Sequence, residues 1–372
     1  MNERFRSVAA EGISLTLDLA VGHIRSLAID CANRRLNPLH TAPWVEDKAI
    51  VDDRDIPPGL KFLSGDFFCA PFGTSDVEEA PGHGWPANSR WRFLNEERQG
   101  GRTTARFVLE RHVMGARLTK EMTLRDGHPF VYQRHVFEGG RSAVSIASHA
   151  MTRFAGEGHL SFSPKAFGEL PATQQETDPK RGRSRFARSI RFSDLSKLPL
   201  ADGGSVDLHH YPVAERHEDF VALVEREDAL LGWTAAFRPD AGDIVLSLKN
   251  PSDFPVTFLW FSNGGRDYPP WNSRHFGVLG IEEGRAYLAA GHAASIAPNP
   301  LSDSGIATSL SLKPDGSVSV RHVIGGVPLP GGWAAIHSIE ARNGKLRMTN
   351  TEGETVEHPF DSDFLASTGI DQ

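Results

Sequence analysis

The sequence GDFFCAPFG at residues 65–73, followed by HGW at residues 83–85 and by Trp91, is the stretch on which the fold prediction rests. An apolar run that meets Pro-Phe-Gly is typical of a strand that ends in a turn. The glycine after His83 permits close backbone approach, so the histidine side chain can project. Two tryptophans flank it, and aromatic faces beside polar groups suit a pyranose, which has an apolar C–H face and a rim of hydroxyls. An ordinary loop lined by a histidine and aromatic residues would show the same pattern.

Alternation of apolar and polar residues runs along the whole chain and is clear at residues 13–21. Turn residues predict four hairpins, at Asp126-Gly127, at residues 250–253, at residues 314–316 and at Asn343-Gly344. Helical periodicity of useful length is hard to find, so the sequence predicts an all-β sandwich or barrel. No linker or repeat divides the chain. We expect one β domain over residues 1–360 and a C-terminal tail over residues 361–372.

The composition is that of a folded, turn-rich protein rather than of a disordered or fibrous one. The 372 residues are 39% hydrophobic and 23% charged, with 36 glycines. The net charge of -7 argues against nucleic acid or an anionic membrane as the main partner, because both are bound through clustered positive charge.

Location and redox state follow from what the sequence lacks. No apolar run approaches the roughly 18 residues of a membrane span, and residues 1–6 lack the apolar core of a secretion signal. We therefore expect a cytoplasmic protein. Its two cysteines, Cys31 and Cys69, form no Cys-x-x-Cys pair, so neither a disulfide framework nor a thiolate zinc site is expected.

Two later segments each place one ionisable residue in an apolar strand. Residues 145–154 read SIASHAMTRF, with His149 in the middle, and residues 276–283 read FGVLGIEE, with Glu282 near the end. The order of a His-Gly turn, a strand histidine and a strand-end glutamate resembles the aldose 1-epimerase (galactose mutarotase) superfamily. The resemblance is diffuse over residues 10–350 and sharp at these three places. It implies a large antiparallel β-sandwich with a sugar-binding cleft.

The resemblance also implies roles for these residues in interconverting the anomers of a free hexose or related sugar. Opening the ring requires one group to remove the proton from O1 and another to protonate O5, and a carboxylate with a histidine suits this exchange. Glu282 would be the base at O1 and His149 the acid at O5. His83 would hold the sugar and stabilise charge on the ring oxygen. No cofactor and no metal are implied, and the partner is a small-molecule carbohydrate.

Further binding residues are expected near these groups. Trp85, Trp260 and Trp271 are candidate stacking platforms, and Asn88 and Arg90 could bind hydroxyls from the loop that carries the His-Gly turn. Each has a structural alternative, since tryptophans of a β protein pack in its core and polar loop residues stabilise turns.

The chain departs from the superfamily pattern at positions that matter for substrate choice. In the sugar-phosphate branch two arginines clamp the phosphate, and this chain has Leu63 and Ala87 in their places. We therefore expect uncharged sugars to be preferred to sugar phosphates. In the galactose branch an aspartate lies three residues before a strand phenylalanine, where this chain has His217. Either Asp219 takes over that hydroxyl contact through a shifted register, or the contact is lost.

The second acidic residue of the Glu-Glu pair replaces the proline that usually follows the glutamate. This leaves open whether Glu282 or Glu283 faces the cleft. A basic segment is a further open point. It could fold over the site and attract an acidic sugar, or it could be a solvated surface. Its members are Lys180, Arg181, Arg183, Arg185, Arg188 and Arg191.

Two other functions compete with the enzyme hypothesis. A non-catalytic carbohydrate-binding or sensing protein could keep the same cleft. A metal-dependent hydrolase using His209, His210 and His217 is disfavoured, because adjacent residues of a strand point to opposite faces and could hardly bind one ion. The identity of the sugar and the oligomeric state are not encoded in these patterns.

Overall fold

Antiparallel strands dominate the structure, a computed structural model that describes residues 3–31 and 34–366. Over these residues the strands are β1 (Phe5–Ala10), β2 (Ile13–Asp18), β3 (His23–Cys31), β4 (Arg34–Leu36), β5 (Asp66–Cys69), β6 (Trp91–Gln99), β7 (Arg102–Val113), β8 (Ala116–Arg125), β9 (Phe130–Val144), β10 (Ile146–Arg153), β11 (Gly158–Phe162), β12 (Lys165–Glu169), β13 (Arg191–Phe192), β14 (Leu198–Pro199), β15 (Ser205–Val206), β16 (His210–Tyr211), β17 (His217–Glu225), β18 (Gly232–Arg238), β19 (Asp243–Lys249), β20 (Val256–Asn263), β21 (Val278–Arg285), β22 (Leu310–Pro328), β23 (Ile336–Arg342), β24 (Lys345–Asn350) and β25 (Thr355–Pro359). The prediction of an all-β class is confirmed.

Helical structure is confined to short segments in the loops. The α-helices of the described residues are α1 (Lys48–Val51), α2 (Pro58–Lys61) and α3 (His292–Ile296), and single 3₁₀ turns lie at Trp85–Ala87, Leu195–Lys197 and Ser302–Ser304. None of the described helices has the length and apolarity needed to cross a bilayer.

Two large sheets form the sandwich. The eleven-strand sheet has the order β1-β2-β3-β5-β10-β21-β20-β17-β12-β13, with β4 paired to β3. The nine-strand sheet has the order β16-β11-β18-β19-β22-β9-β8-β7-β6. Neighbouring strands in both are antiparallel, so each strand can present one face to the partner sheet and the other face outward.

The main core lies between the two sheets. Leu15, Phe68 and Ile146 of the eleven-strand sheet form one buried cluster with Phe107 and Leu118 of the nine-strand sheet. Burying an apolar side chain of this size stabilises the fold by about 1.5–3 kcal/mol. The period-two alternation in the sequence is therefore the cause of the layered packing, since every second residue enters this core.

The outer face of the eleven-strand sheet carries a second buried cluster, and this face positions the site. Side chains alternate along a strand, so every second side chain of β10, β17 and β20 points away from the nine-strand sheet. These side chains include Met151, Phe220, Phe258 and Trp260, which pack with Trp44 from the loop before α1.

Two of the four predicted hairpins are confirmed and two are wrong. Asp126-Gly127 joins β8 to β9, and Asn343-Gly344 joins β23 to β24. Residues 250–253 do not make a hairpin, because β19 pairs in the nine-strand sheet and β20 in the eleven-strand sheet. Residues 314–316 also make none. They bulge out of the single long strand β22, whose register to β9 shifts between Lys313 and Ser317.

The C-terminal segment packs on the outer side of the nine-strand sheet. Strands β23–β25 form a three-strand sheet, and Leu346 and Met348 contribute to a buried cluster with Trp233. Of the segment expected to be a tail, residues 361–366 are described. Leu365 lies in this cluster, and its carbonyl accepts a 3.0 Å hydrogen bond from Nδ2 of Asn250. Residues 367–372 lie outside the described residues.

Candidate active site

A cavity of about 640 Å³ opens on the outer face of the eleven-strand sheet. Its volume is within the range of small-molecule sites. Its wall contains Phe67 from β5, His149 from β10, Phe220 from β17, Trp260 from β20 and Glu282 from β21. Five neighbouring strands therefore each contribute one side chain to the same space, as their alternation requires.

His149 and Glu282 meet at the sheet surface. The two residues are register partners across β10 and β21, and Nε2 of His149 lies 3.0 Å from Oε1 of Glu282. Their exposed fractions are 4% and 2%. Nδ1 of His149 is buried and has no hydrogen-bond partner in the described structure, so its hydrogen-bonding capacity is unsatisfied.

The structure also separates the two adjacent glutamates. Glu282 lines the cavity, whereas Glu283 points between the sheets. There its carboxylate accepts hydrogen bonds from Ser247 and Thr257 and pairs with Lys249 at 2.5 Å. A one-residue step along a strand reverses the side-chain direction, so only the first glutamate of the pair can face a ligand.

His83 enters the cavity from the loop after β5. Its backbone has a φ of 64° and its N–H donates to the carbonyl of Gly73 at 2.7 Å. Gly84 follows with a φ of 72°, and a Cβ there would lie 2.0 Å from the carbonyl oxygen of Ala70. Glycine is thus required for this turn, as the His-Gly pattern indicated.

The His83 ring is held beside the ring of His149. Its centroid lies 5.7 Å from that of His149, and its Nδ1 is 3.4 Å from Sγ of Cys69. Burial, and to a smaller degree His149, lowers the pKa of His83 to about 3. The ring is therefore neutral near pH 7 and can hydrogen-bond without adding charge.

Aromatic rings surround these groups. Phe67 stacks on His149 at 4.4 Å between centroids, and Trp260 meets the same imidazole edge-on at 5.6 Å. Trp271 also lines the cavity and lies 5.8 Å from Trp260. The wall thus combines apolar rings with one carboxylate and two imidazoles, which matches the mixed surface of a sugar.

Asn88 lines the cavity, but its polar atoms are engaged by the loop. Oδ1 accepts from the N–H of Gly59 at 2.9 Å, and Nδ2 donates to the carbonyls of Gly82 and Gly84 at 2.9 and 2.8 Å. The side chain thereby fixes the turn that carries His83. Its role in this structure is to shape the loop rather than to offer free donors to a hydroxyl.

The structure places Trp85, Arg90 and Asp219 outside the cavity wall. Trp85 packs against the inter-sheet core with Arg111 over its ring at 4.8 Å, and Arg90 pairs with Glu110 at 3.5 Å. Asp219 points to the inner face of β17, where it accepts from the backbone N–H groups of residues 185 and 186. The alternation along β17 gives the outer face to its neighbours Glu218 and Phe220 instead.

Arg266 also lines the cavity, although no sequence motif points to it. It lies in the insert between β20 and β21, with its guanidinium 4.6 Å from the ring centroid of Trp271. Its Nε donates to Glu176 at 2.8 Å, and the hydroxyl of Tyr268 donates to the same carboxylate at 2.6 Å. The positive charge is thus already matched by a neighbouring carboxylate.

Uncharged residues just before the basic segment line the cavity, but the basic residues themselves do not. Thr173, Gln174 and Gln175 line the wall, whereas its arginines lie outside. Three of these arginines form surface ion pairs, Arg183 with Asp267, Arg185 with Asp202 and Arg191 with Glu169.

The histidines considered for a metal site are used differently. His209 and His210 both contact Asp207, whereas His217 is buried against Asp219 with a 2.7 Å hydrogen bond. Among residues 3–31 and 34–366, no group of three or more His, Cys, Asp or Glu residues is placed to hold a metal ion.

Comparison with known proteins shows which solved structures share this fold. A scan against protein-family models finds no match, and a search of curated proteins finds none either. Among solved structures, a candidate aldose 1-epimerase from Escherichia coli K12 superposes with a TM-score of 0.56 at 11% identity, over 87% of this chain and 99% of that chain. A galactose mutarotase-like protein from Clostridium acetobutylicum gives 0.55 at 13% identity, over 87% and 94%. A galactose mutarotase related enzyme from Lactobacillus acidophilus gives 0.51 at 9% identity, over 88% and 98%. The chain therefore has the galactose mutarotase-like β-sandwich fold.

Proposed function

We propose that this protein is an aldose 1-epimerase-like enzyme that interconverts the α and β anomers of an uncharged hexose or related sugar. The observation that carries the proposal is the 3.0 Å contact between Nε2 of His149 and Oε1 of Glu282 in the cavity wall. O1 and O5 of an aldose are bonded to the same carbon, so two groups this close can serve both oxygens of one sugar.

The reaction needs one proton shared between the two groups. Ionised Glu282 takes the proton from O1 while protonated His149 delivers one to O5, and the C1–O5 bond breaks to give the open-chain aldehyde. After rotation about C1–C2, His149 takes the proton back from the O5 hydroxyl as that oxygen attacks C1. Glu282 then returns its proton to O1, so the cycle closes with no net proton consumed.

His83 and the aromatic rings have supporting roles in this proposal. The neutral imidazole of His83 hydrogen-bonds the sugar near the ring oxygen, where charge develops during opening. Trp260 and Phe67 contact the apolar faces of the sugar and keep water from the reacting atoms.

The charges of the cavity favour an uncharged substrate. Leu63 and Ala87 lie in the wall, at the positions where the sugar-phosphate branch has arginines. Arg266 is the one lysine or arginine among the described residues of the wall, and Glu176 pairs with it. A phosphate dianion entering this partly desolvated site would meet no unpaired cation.

Polarimetry of freshly dissolved pure anomers tests the proposal. The panel comprises hexoses, pentoses, uronic acids and a hexose phosphate, each with a no-protein reference for spontaneous mutarotation. We expect acceleration for at least one uncharged aldose. Sugar binding by calorimetry without acceleration of any member would instead support a carbohydrate-binding protein that keeps the cleft.

A further inference from the structure

A buried carboxylate lies directly behind the aromatic wall of the cavity. Glu218 projects from the outer face of β17 but is fully covered, with 0% of its surface exposed. Its Oε2 accepts a 3.0 Å hydrogen bond from Nε1 of Trp260, and Oε1 accepts one of 2.7 Å from Oγ of Ser262. Nη1 of Arg266 lies 4.0 Å from the same carboxylate. Glu218 therefore touches or faces two residues of the cavity wall, Trp260 and Arg266.

The hydrogen bonds around Glu218 continue toward the protein surface. Oγ of Ser262 lies 2.7 Å from Nδ1 of His275, and Nε2 of His275 lies 3.2 Å from Nε2 of the partly exposed His40. With Glu218 ionised, every link has a consistent direction: His40 donates to His275, His275 to Ser262, and Ser262 to the carboxylate. The chain thus fixes the orientation of the buried carboxylate from behind.

Burial and a few neighbouring side chains set the pKa of Glu218. Burial raises its pKa to about 7, against the opposing effects of Arg266, Ser262 and Trp260 and with a further rise from Glu176. Burial raises the pKa of the Tyr211 hydroxyl, and the negative charge of Glu218 raises it further. A buried carboxylate is costly, and two hydrogen-bond donors with one ion-pair contact at 4.0 Å compensate only in part.

We propose that Glu218 is a positioning residue of the sugar site, which holds the Trp260 indole and the Arg266 guanidinium in the orientation that shapes the cavity wall. The expected effect on sugar binding rests on the proposed function. The coupling between Glu218 and Trp260 does not depend on that function. Glu218 itself is not among the residues that line the cavity. Its effect must pass through these two neighbours.

The first arm of the test needs no sugar. The indole N–H resonance of Trp260, assigned by its loss in Trp260→Phe, is followed by ¹⁵N NMR from about pH 5 to pH 9. We expect it to titrate in the wild-type protein and to stay constant in Glu218→Gln. An unchanged titration in Glu218→Gln, or none in the wild type, would overturn the proposal whatever the activity of the protein.

The second arm measures mutarotation kinetics on the best sugar of the panel. Glu218→Gln removes the charge facing Arg266 but keeps the shape, and Trp260→Phe keeps an aromatic ring but removes the N–H donor. Each is expected to raise KM about tenfold, the effect of losing a hydrogen bond to a charged group, with kcat within about threefold. The double variant should be little worse than either single variant, since both remove one interaction.

The outcomes separate the two claims. The proposal would be overturned if the effects of the two substitutions on KM were additive in the double variant. It would also be overturned if Glu218→Gln lowered the melting temperature but left KM unchanged, because Glu218 would then have only a structural role. A wild-type protein that accelerates no sugar would refute the proposed function, and the NMR arm would still decide whether Glu218 positions Trp260. Glu340→Gln, an exposed glutamate on β23, is the matched control and should match the wild type in both arms.

Discussion

His149 and Glu282 are cross-strand partners whose side chains meet at 3.0 Å on the outer face of one sheet. Cross-strand pairs are held in place by the backbone ladder itself, so their relative position is set without any loop. The strands β10 and β21 thus hold an imidazole and a carboxylate in a fixed relative position. A site on strands is more precisely positioned than one on loops.

This pairing predicts the pH dependence of the reaction. The proposed mechanism needs one transferable proton on the pair. It fails when His149 and Glu282 are both protonated, and it also fails when neither of them is protonated. The profile of kcat/KM against pH, measured by polarimetry after subtraction of the spontaneous rate, should be bell-shaped. A flat profile, or a single limb across the stable range of the protein, would contradict the two-group mechanism.

Substrate charge gives a second prediction. Glucose should be turned over with a kcat/KM at least about tenfold above that of glucose 6-phosphate, because Leu63 and Ala87 offer no partner to the dianion and Arg266 is paired. The comparison is made side by side at about 0.05 M and 0.5 M salt. An advantage of the phosphate that fades at high salt would show that the basic segment reaches the cavity mouth in solution.

A third prediction concerns stability in acid. Burial lowers the pKa of His23 to about 3, and its Nε2 is hydrogen-bonded to the carbonyl of Ala87 at 3.0 Å. The folded state therefore favours neutral His23, while the unfolded chain protonates it below about pH 6.5. The stability that this residue contributes is present above that pH and is lost as pH falls toward 3, by up to about 1.4 kcal/mol per pH unit.

Urea unfolding of the wild type and of His23→Gln between about pH 4 and pH 8 checks this sign. Glutamine cannot take up a proton, so the variant should lose less stability on acidification than the wild type. His337→Gln, an exposed position on β23, is the control and should behave like the wild type. A constant difference between His23→Gln and the wild type across the range would contradict the prediction.

The charged cluster between the sheets gives a fourth prediction. Nζ of Lys249 lies 2.5 Å from Glu283 and 3.1 Å from Glu225, and all three residues are buried. Lys249→Met would leave two carboxylates without this cation, at a cost of about 3–5 kcal/mol. Chemical denaturation measures the loss, with Lys313→Met at an exposed position as the control. Lys165 also pairs with Glu225. A loss below about 1 kcal/mol would contradict the prediction and show that this second lysine is sufficient to balance the carboxylates.

Part of this fold is legible in the sequence because it depends on local rules. Asp126-Gly127 and Asn343-Gly344 are turn pairs that tolerate positive φ, and each does close a hairpin. Residues 250–253 look equally turn-like but carry the chain from one sheet to the other. Which strand pairs with which depends on packing between distant segments, and a turn sequence holds no information on that.

The same limit applies to the site. Alternation along β21 puts Glu282 and Glu283 on opposite faces of the sheet. Because both residues are acidic, the sequence does not indicate which of the two faces the cavity. The sequence links Trp85 and Asn88 to the site only through their proximity to His83. In the structure Trp85 packs against the core and Asn88 stabilises the loop. Glu218 and Arg266 gave no local signal, because their positions at the cavity follow from tertiary contacts.

The most direct test of the central claim is the mutarotation rate of Glu282→Gln, measured by polarimetry on the sugar that the wild type turns over best. Glutamine keeps the shape of the side chain but cannot accept the O1 proton, and loss of a positioned general base costs about 100- to 10,000-fold in rate. The account predicts a fall of that size, with unchanged melting temperature and with Glu340→Gln at the wild-type rate. A Glu282→Gln protein that retains the wild-type rate would contradict it.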